Sequence, residues 1–586
     1  MQARIRSQLP VTGRCESYST SLSARPPAFP PAFLDESPSG MRHQRENYYF
    51  DAGPLGQIQG LSITSDGTPA VRYFGGLPYA LPPTGLWRFR VPRRLPTGYQ
   101  YGTAAEPGQF TGGTRVCPQP PSSNTPNASV VDEDCLQLNI WVPARPTPKD
   151  GWPVCFYIHG GFLQCGTANL NPEALVTLLS DSAFQAIMVL PSYRLNALGF
   201  LTGRELAAEA SVCGEATGNM GFWDQRAALE WTQENISCFG GNPANITVAG
   251  YSAGAYSTFQ QLAHELWRVP AEKAIIRRVA MFSNGPGVKP KALQDQQEQF
   301  DEFLTRLGIA MDLDDKAKLA KLRALPYQRL IEVQSEMKIS EFRVLADDLF
   351  YPEDLIDRIN DGQFSRRMKS RGITLLNGEC KDEHTMYRRW RTPEDSFPAV
   401  YERLYAEYAP TVTHTLMHHY CGPARKLPTG YTSWQEFFGR LYADIQVHHI
   451  ERGFHNALFE GGLQPGKDVL RYRFERRLWC VEEKIPAEWG VTHMTDIPIW
   501  LWGSDFAGGL TNQEKGWLKG WNECFAAFVN GDPVSWGPTK PKEMRRWRSD
   551  GETDIWEDSM WERGIALWKI VNSGSAEANS TGTSGE

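Results

Sequence analysis

Short apolar runs alternate with longer helical patterns through the first half of the chain. Residues 153–158, 186–190 and 246–249 have the length and β-branched character of buried strands. Between the last two, residues 224–235 carry apolar side chains, Leu229 and Trp231 among them, at helical spacing. Strand–helix–strand alternation of this kind predicts an α/β protein with a large, mostly parallel central sheet and helices on both faces.

Further along the chain the pattern becomes helical, charged and less regular, from about 290 to 365 and from 395 to 470. We expect these segments to be insertions over the carboxyl edge of the sheet, where ligands bind in open α/β folds. With no internal repeat and no long linker, residues 46–571 are predicted to form one domain. Residues 1–45 are predicted to be a disordered leader and residues 572–586 a disordered tail.

Charge and composition exclude several classes of partner. The net charge of −7, with no basic stripe, argues against nucleic-acid binding. No run approaches the roughly 18 apolar residues that a membrane span requires. The start of the chain has no apolar signal-peptide core, which predicts a cytoplasmic protein. Secretion is the alternative if the N-terminus is mis-assigned, and the oligomeric state is left open. For the leader itself, a true start near Met41 is the alternative to disorder.

The cysteines and histidines indicate no metal site. Eleven cysteines include no pair with zinc-finger spacing, and the pairs at 418–419 and 448–449 lack the i, i+4 spacing of helical histidine ligands. We therefore expect neither a metal nor another cofactor.

Candidate chemistry centres on Ser252, the middle residue of a G-x-S-x-G motif at 250–254. The motif follows a predicted strand and precedes a helical pattern, which is the context of the nucleophile elbow in α/β-hydrolases. Glycines on either side let the chain turn sharply, so that the serine hydroxyl is lifted above the end of the sheet. The following helix directs its first N–H groups towards developing negative charge.

A second motif could supply hydrogen-bond donors for an oxyanion. His159-Gly160-Gly161-Phe162 follows the predicted strand at 153–158 directly, where lipases and esterases have an H-G-G-G-type loop. The backbone N–H groups of Gly161, Phe162 and Ala253 are the predicted donors.

A nucleophilic serine also needs a base and an acid that orients it. His493, in a glycine-containing segment late in the chain, is the candidate base. After the predicted strand at 373–378, Glu379, Asp382 and Glu383 compete for the role of acid, and their spacing does not choose among them.

Several further motifs carry a family resemblance. They occur in the order expected for one family: 74–80 with 88–89, 133–140, 218–226 with 242–243, and 525–533. Together with the elbow and the glycine loop, they resemble the type-B carboxylesterase/lipase family, which includes cholinesterases and many microbial esterases. The resemblance spans roughly residues 55–570 and implies an α/β-hydrolase fold.

The resemblance also implies roles for particular residues. Lys381-Asp382-Glu383 is similar to the family's K-D-E, which selects Glu383 as the acid, and 490–493 is similar to its G-x-x-H, which supports His493. Cys117 and Cys135 lie where the family has a disulfide; we expect the two to be close, and oxidised only if the protein is exported. Arg88 with Glu133 and Arg194 with Asp224 resemble structural ion pairs of the family.

Three departures from the family pattern bear on specificity. Tyr251 replaces the glutamate that usually precedes the nucleophile, which removes a buried charge. Phe162 replaces the third glycine of the oxyanion loop, so its ring is expected in the pocket wall. The loop between Cys117 and Cys135 has no aromatic residue to hold a choline group, which argues against acetylcholine as a substrate.

The expected protein is a serine carboxylic-ester hydrolase that acts on small-to-medium hydrophobic esters through Ser252, Glu383 and His493. A transacylase using the same residues is one alternative. A non-catalytic, cholinesterase-like interaction protein is another, which the presence of all three residues disfavours.

Overall fold

A thirteen-stranded sheet organises the residues that the structure, a computed structural model, describes: 43–120, 130–504, 506 and 508–572. The strands are β1 His43–Asp51, β2 Gln57–Ser65, β3 Thr68–Pro78, β4 Gly108–Gln109, β5 Gln137–Pro143, β6 Trp152–Ile158, β7 Ile187–Pro191, β8 Gly241–Tyr251, β9 Ile276–Phe282, β10 Thr374–Cys380, β11 Val469–Phe474, β12 Glu543–Trp547 and β13 Thr553–Glu557.

Eighteen α-helices surround this sheet within the described residues. They are α1 Val176–Ser180, α2 Asn196–Phe200, α3 Arg204–Cys213, α4 Met220–Asn235, α5 Ala253–Arg268, α6 Leu293–Arg306, α7 Asp315–Ala324, α8 Tyr327–Glu336, α9 Leu355–Asn360, α10 Gln363–Ser370, α11 His384–Tyr387, α12 Phe397–Tyr405, α13 Pro410–Cys421, α14 Trp434–Gln446, α15 His448–Glu460, α16 Ile497–Trp500, α17 Asn512–Asn530 and α18 Trp561–Asn572.

The strand order is β1-β2-β3-β5-β7-β6-β8-β9-β10-β11-β12-β13, with β4 paired to β2. The strands from β7 to β12 run parallel, as predicted, whereas β1, β2, β3 and β5 at one end and β13 at the other pair antiparallel. The sheet is therefore mixed, with a parallel centre that carries the candidate chemistry.

Side chains of the central strands alternate between two apolar cores. On β6, Val154, Phe156 and Ile158 pack into one core, while Cys155 and Tyr157 pack into the other on the opposite face. Parallel sheets need both faces covered because their crossover helices lie on both sides. The predicted fold class is confirmed.

Two of the predicted boundaries are corrected at the ends of the described chain. β1 begins at His43, so residues 43–45 are strand and not leader. α18 includes Asn572, which is buried and was predicted as the first residue of the tail. The remaining residues of the predicted leader and tail lie outside the described part of the chain. Among the described helices, none combines the length and apolar character of a bilayer-crossing segment.

Candidate active site

Ser252 sits in a sharp turn between β8 and α5. Its φ of 57° and ψ of −125° are unusual for a residue with a side chain. The flanking glycines have a steric reason: a Cβ at Gly250 would lie 2.2 Å from the Gly254 carbonyl oxygen, and one at Gly254 would lie 2.0 Å from that of Ile158. Because α5 begins at Ala253, the first N–H groups of that helix have no partner within it.

Glu383 and His493 meet beside this turn, where the imidazole lies 4.8 Å from the Tyr251 ring, although 110 residues separate the pair in sequence. Glu383 lies between β10 and α11, and its Oε2 lies 2.5 Å from His493 Nδ1. Its other oxygen, Oε1, accepts a hydrogen bond of 2.8 Å from the Cys380 backbone N–H. Both side chains are buried, so this carboxylate is held at two points and fixes the orientation of the imidazole.

The two competing acids are engaged elsewhere. Asp382 accepts a 3.0 Å hydrogen bond from the Val491 backbone N–H, which fastens the loop that carries His493. Glu379 is fully buried and pairs with Arg452 at 2.8 Å, with Arg473, and with His448 at 2.6 Å. These cationic neighbours hold the pKa of Glu379 well below its usual range despite its burial. The geometry thus brings Glu383, and neither competitor, onto His493.

The glycine loop after β6 lies against the serine. A Cβ added at Gly160 would be 3.0 Å from Ser252 Cβ, and one at Gly161 would be 2.0 Å from the Cys165 carbonyl oxygen. Gly161 and Phe162 both have positive φ, 113° and 59°. Only glycine fits at position 161, because a Cβ there would clash with the Cys165 carbonyl oxygen. Phe162 has a side chain, so its positive φ is strained, but its backbone N–H group is still present.

The ring of Phe162 belongs to an aromatic wall. It stacks on Trp390 with centroids 4.2 Å apart and lies 6.1 Å from Tyr387 and 6.3 Å from Tyr442. Its carbonyl oxygen accepts a 2.9 Å hydrogen bond from Arg343 Nη1. Packing and this hydrogen bond together hold the strained backbone of the loop.

A cavity that is open to solvent has Ser252 in its lining. Ser252, Ala253 and Phe162 form part of its lining, as do residues of both predicted insertions. The rest of the lining is Tyr256, Asn284, Gly287, Val288, Lys289, Pro290, Lys291, Arg343, Val344, Glu407, Tyr408 and Gln446. The expectation that Phe162 faces the pocket and that the insertions cover the site agrees with this arrangement.

The outer nitrogen of the imidazole faces a tyrosine that the motif search did not single out. His493 Nε2 lies 3.5 Å from Tyr387 Oη, and the rings of Tyr387 and Tyr251 each lie 4.8 Å from the imidazole. Within the described chain, no hydrogen bond joins Ser252 to His493. Hydrogen bonds of this kind are often long or misaligned in a ligand-free site and tighten around the substrate.

A buried carboxyl group adjoins the site from an unexpected position. Asp496, three residues after His493, accepts hydrogen bonds from Ser283 Oγ at 2.8 Å and Tyr472 Oη at 3.0 Å. Burial raises its pKa to about 6, and the Glu383 carboxylate adds to that rise. Among the described residues, its Oδ1 and the Tyr251 hydroxyl are both buried without a hydrogen-bond partner. The loss of a buried charge predicted from Tyr251 is thus offset by Asp496.

The residues predicted as structural lie away from this cluster. Cys117 is joined to Cys135 in a disulfide. Arg88 pairs with Glu133 at 2.5 Å and Arg194 with Asp224 at 2.7 Å. The second pair is almost fully buried and doubly hydrogen-bonded, which is the arrangement that makes a buried charge tolerable.

One of the two histidine pairs considered as metal ligands, at 448–449, contacts carboxylates instead. His448 bonds Glu379 and His449 bonds Asp444 at 3.1 Å. Within the described residues, no three His, Cys, Asp or Glu side chains are grouped as metal ligands.

The structure brings the predicted serine turn, glycine loop, Glu383 and His493 together, and it adds neighbours that motif reasoning missed. Tyr387 and Arg343 reach the site from irregular segments, whereas Asp496 lies three residues after His493, and no motif singles it out. Tyr387 offered the one usable signal, since it lies one helical turn after Glu383.

Comparisons with known proteins show the family of this chain. The sequence profile of the carboxylesterase family matches residues 52–558. A carboxylic ester hydrolase of Gibberella moniliformis is 70% identical over 91% of this chain and 97% of its own length. An uncharacterized esterase/lipase of Schizosaccharomyces pombe is 34% identical over 88% and 95%, respectively.

Among solved structures, EstA of Aspergillus niger is similar with a TM-score of 0.67, covering 90% of this chain and 98% of its own at 20% identity. At that identity the likeness concerns the fold alone, and it is that of an α/β-hydrolase. The family profile and the fungal relatives settle the wider question: this chain belongs to the carboxylesterase family of carboxylic ester hydrolases.

Proposed function

We propose that the protein hydrolyses small-to-medium carboxylic esters through an acyl-enzyme formed on Ser252. The observation that carries the proposal is the 2.5 Å contact between Glu383 and His493, whose imidazole lies beside Tyr251 at the strained serine turn. A serine hydroxyl is a poor nucleophile by itself and requires such an oriented base.

In the proposed reaction, Ser252 Oγ attacks the acyl carbonyl carbon while His493 Nε2 accepts the hydroxyl proton. The negative oxygen that develops is bound by the N–H groups of Gly161, Phe162 and Ala253. His493 then protonates the leaving alcohol, and Glu383 stabilises the imidazolium throughout. Water, activated by the same histidine, cleaves the acyl-enzyme and restores Ser252.

Mutation of the serine and the histidine tests the proposal. Ser252→Ala and His493→Ala should each lower kcat by several orders of magnitude, and the double variant should lose little more because the residues act as a unit. A fluorophosphonate should label Ser252 in the folded wild-type protein. Near-normal rates in Ser252→Ala, measured on p-nitrophenyl esters from acetate to long acyl chains, would place the nucleophile elsewhere.

A further inference from the structure

The cavity above Ser252 carries an excess of positive charge. Three cationic side chains line it, Lys289, Lys291 and Arg343, against one carboxylate, Glu407. Lys289 is exposed at the mouth, whereas Lys291 is only 5% exposed. A buried charge is unfavourable unless water or a counter-ion stabilises it. The charge that the cavity can bind therefore depends on which of these cations already has a carboxylate partner.

The one carboxylate is already neutralised by its neighbours. Glu407 accepts hydrogen bonds from Arg343 Nη2, from Arg403 Nη1, and from Tyr442 Oη at 2.6 Å. The guanidinium groups of Arg343 and Arg403 therefore share two anions, Glu407 and Glu341. Glu341 also contacts Arg391. Neither glutamate is left over to compensate a further cation.

Lys291 is the cation without a carboxylate. Its Nζ donates to the backbone carbonyls of Tyr405 at 2.8 Å and Ala406 at 3.1 Å. An ammonium has three donors, and besides the two carbonyl acceptors its Nζ lies 5.4 Å from the centroid of the Tyr405 ring, which attracts the charge but is not a hydrogen-bond acceptor of carboxylate strength. Within the described residues, no carboxylate forms an ion pair with it. Burial lowers its pKa to about 8, and the more distant acids, with Asp295 foremost, only partly oppose that shift, so it remains charged at pH 7.

We propose that Lys291 is the recognition site for a carboxylate carried by the substrate, so that the preferred substrates are esters bearing a second, anionic group. Monoesters of short dicarboxylic acids have this chemistry on the acyl side. The apolar part of the same wall, which includes Phe162, Val288 and Val344, would then contact the intervening methylene groups. The inference rests on the proposed ester hydrolysis at Ser252.

Matched esters test the inference on the wild-type enzyme. Hydrolysis of monomethyl glutarate and dimethyl glutarate, followed by pH-stat at pH 7, compares an anionic with a neutral acyl group of the same length. Acetoxyacetate and its methyl ester make the same comparison on the alcohol side. We expect kcat/KM to be higher for the anionic member of one pair, and free glutarate to inhibit competitively.

A lysine substitution then assigns the effect. In Lys291→Met, the ratio of kcat/KM for the anionic to the neutral ester should fall about tenfold or more, as expected for loss of a hydrogen bond between charged groups. Lys291→Arg should restore much of the ratio. Lys289→Met, which removes an exposed and solvent-screened charge from the same cavity, should change the ratio less.

Three results would overturn the inference: a wild-type preference for both neutral esters, no inhibition by glutarate, or a ratio unchanged in a folded Lys291→Met. The first two need no variant, so they hold even if Lys291→Met fails to fold. Hydrolysis of the neutral esters in any of these cases would leave the proposed function standing. A wild-type protein that cleaves none of the four esters or the p-nitrophenyl series would instead refute the proposed function.

Discussion

Replacing Glu383 with glutamine probes the acid more sharply than removing it. The two side chains have the same shape, and both carboxylate oxygens currently accept hydrogen bonds, from His493 Nδ1–H and from the Cys380 N–H. A glutamine has only one acceptor oxygen. Its NH₂ group must then face one of the two donors, the Cys380 N–H or His493 Nδ1–H, or the imidazole must take the wrong tautomer.

The expected loss is large in rate and small in stability. Removing the acid of a serine triad while keeping its shape costs about 10⁴ in kcat, which corresponds to roughly 5.4 kcal/mol at 1.36 kcal/mol per factor of ten. The stability change should stay near 1–3 kcal/mol, the cost of one buried group left unsatisfied. Initial rates on p-nitrophenyl acetate and thermal unfolding measure the two quantities separately.

Two neighbouring acids provide matched controls. Asp382→Asn keeps an oxygen that can accept from the Val491 N–H, so kcat should fall about tenfold or less. Glu379→Gln removes one buried counter-charge from Arg452 and Arg473, which keep Asp558 and Glu475 as partners, so it should cost at most about 3–5 kcal/mol of stability while the folded fraction keeps its rate within tenfold. If Glu379→Gln or Asp382→Asn abolished turnover in folded protein while Glu383→Gln did not, the assignment of the acid would be wrong.

Three other substitutions test the surroundings of the site. Phe162→Gly keeps the N–H donor and relieves a positive φ, so the rate of acetate hydrolysis should stay within about tenfold of wild type. Rates on longer or branched acyl esters should rise relative to acetate because the ring is removed from the pocket wall. An unchanged chain-length profile would contradict the steric role of the ring. Tyr387→Phe removes the hydroxyl that lies 3.5 Å from His493 Nε2. It should raise kcat/KM by no more than about fivefold, since a neutral hydrogen bond contributes ~1 kcal/mol. A fall in kcat/KM beyond tenfold would show that the hydroxyl takes part in turnover. Burial raises the pKa of Asp496 in the folded state to about 6, above the 3.8 of an unperturbed aspartate, so the folded protein binds this proton more tightly and stability should fall as pH rises from about 4 to 6. This decline in the free energy of unfolding amounts to on the order of 3 kcal/mol, and Asp496→Asn should flatten it. Thermal unfolding of both proteins across this pH range measures the difference. Parallel curves for the two proteins would refute the raised pKa of Asp496.

Local sequence determines the parts of the site that depend on a few adjacent residues. The turn around Ser252 needs glycine at 250 and 254 because carbonyl oxygens occupy the space of a Cβ, so the motif alone could predict the elbow. The parallel strands were likewise visible as short apolar runs. The choice of Glu383 over its neighbours was different, because it required the family resemblance, and the charges that occupy Glu379 come from residues about 70 to 95 positions away.

Contacts across long stretches of sequence could not be predicted. Arg343 reaches the Phe162 carbonyl over 181 residues, and Tyr387 reaches His493 over 106. Both lie in or beside the irregular insertions, where neither periodicity nor turn residues fix the path of the chain. The pocket wall is built from these segments, so the sequence identified the chemistry of the site before it could indicate the shape or charge of the cavity.

The exchange at Tyr251 shows why a motif departure has to be considered in three dimensions. Taken alone, a tyrosine in place of the usual glutamate removes a negative charge beside the imidazole. Burial raises the pKa of the Tyr251 hydroxyl and the nearby charge of Asp496 adds to that rise, while His493 partly opposes the rise that burial causes in the pKa of Asp496 itself. A carboxylate at this position would favour the imidazolium that forms during turnover, because opposite charges in a buried site stabilise one another. Since that carboxyl is half-protonated near pH 6, the benefit would grow as the pH rises through 6, at the upper end of the interval in which the folded state loses stability.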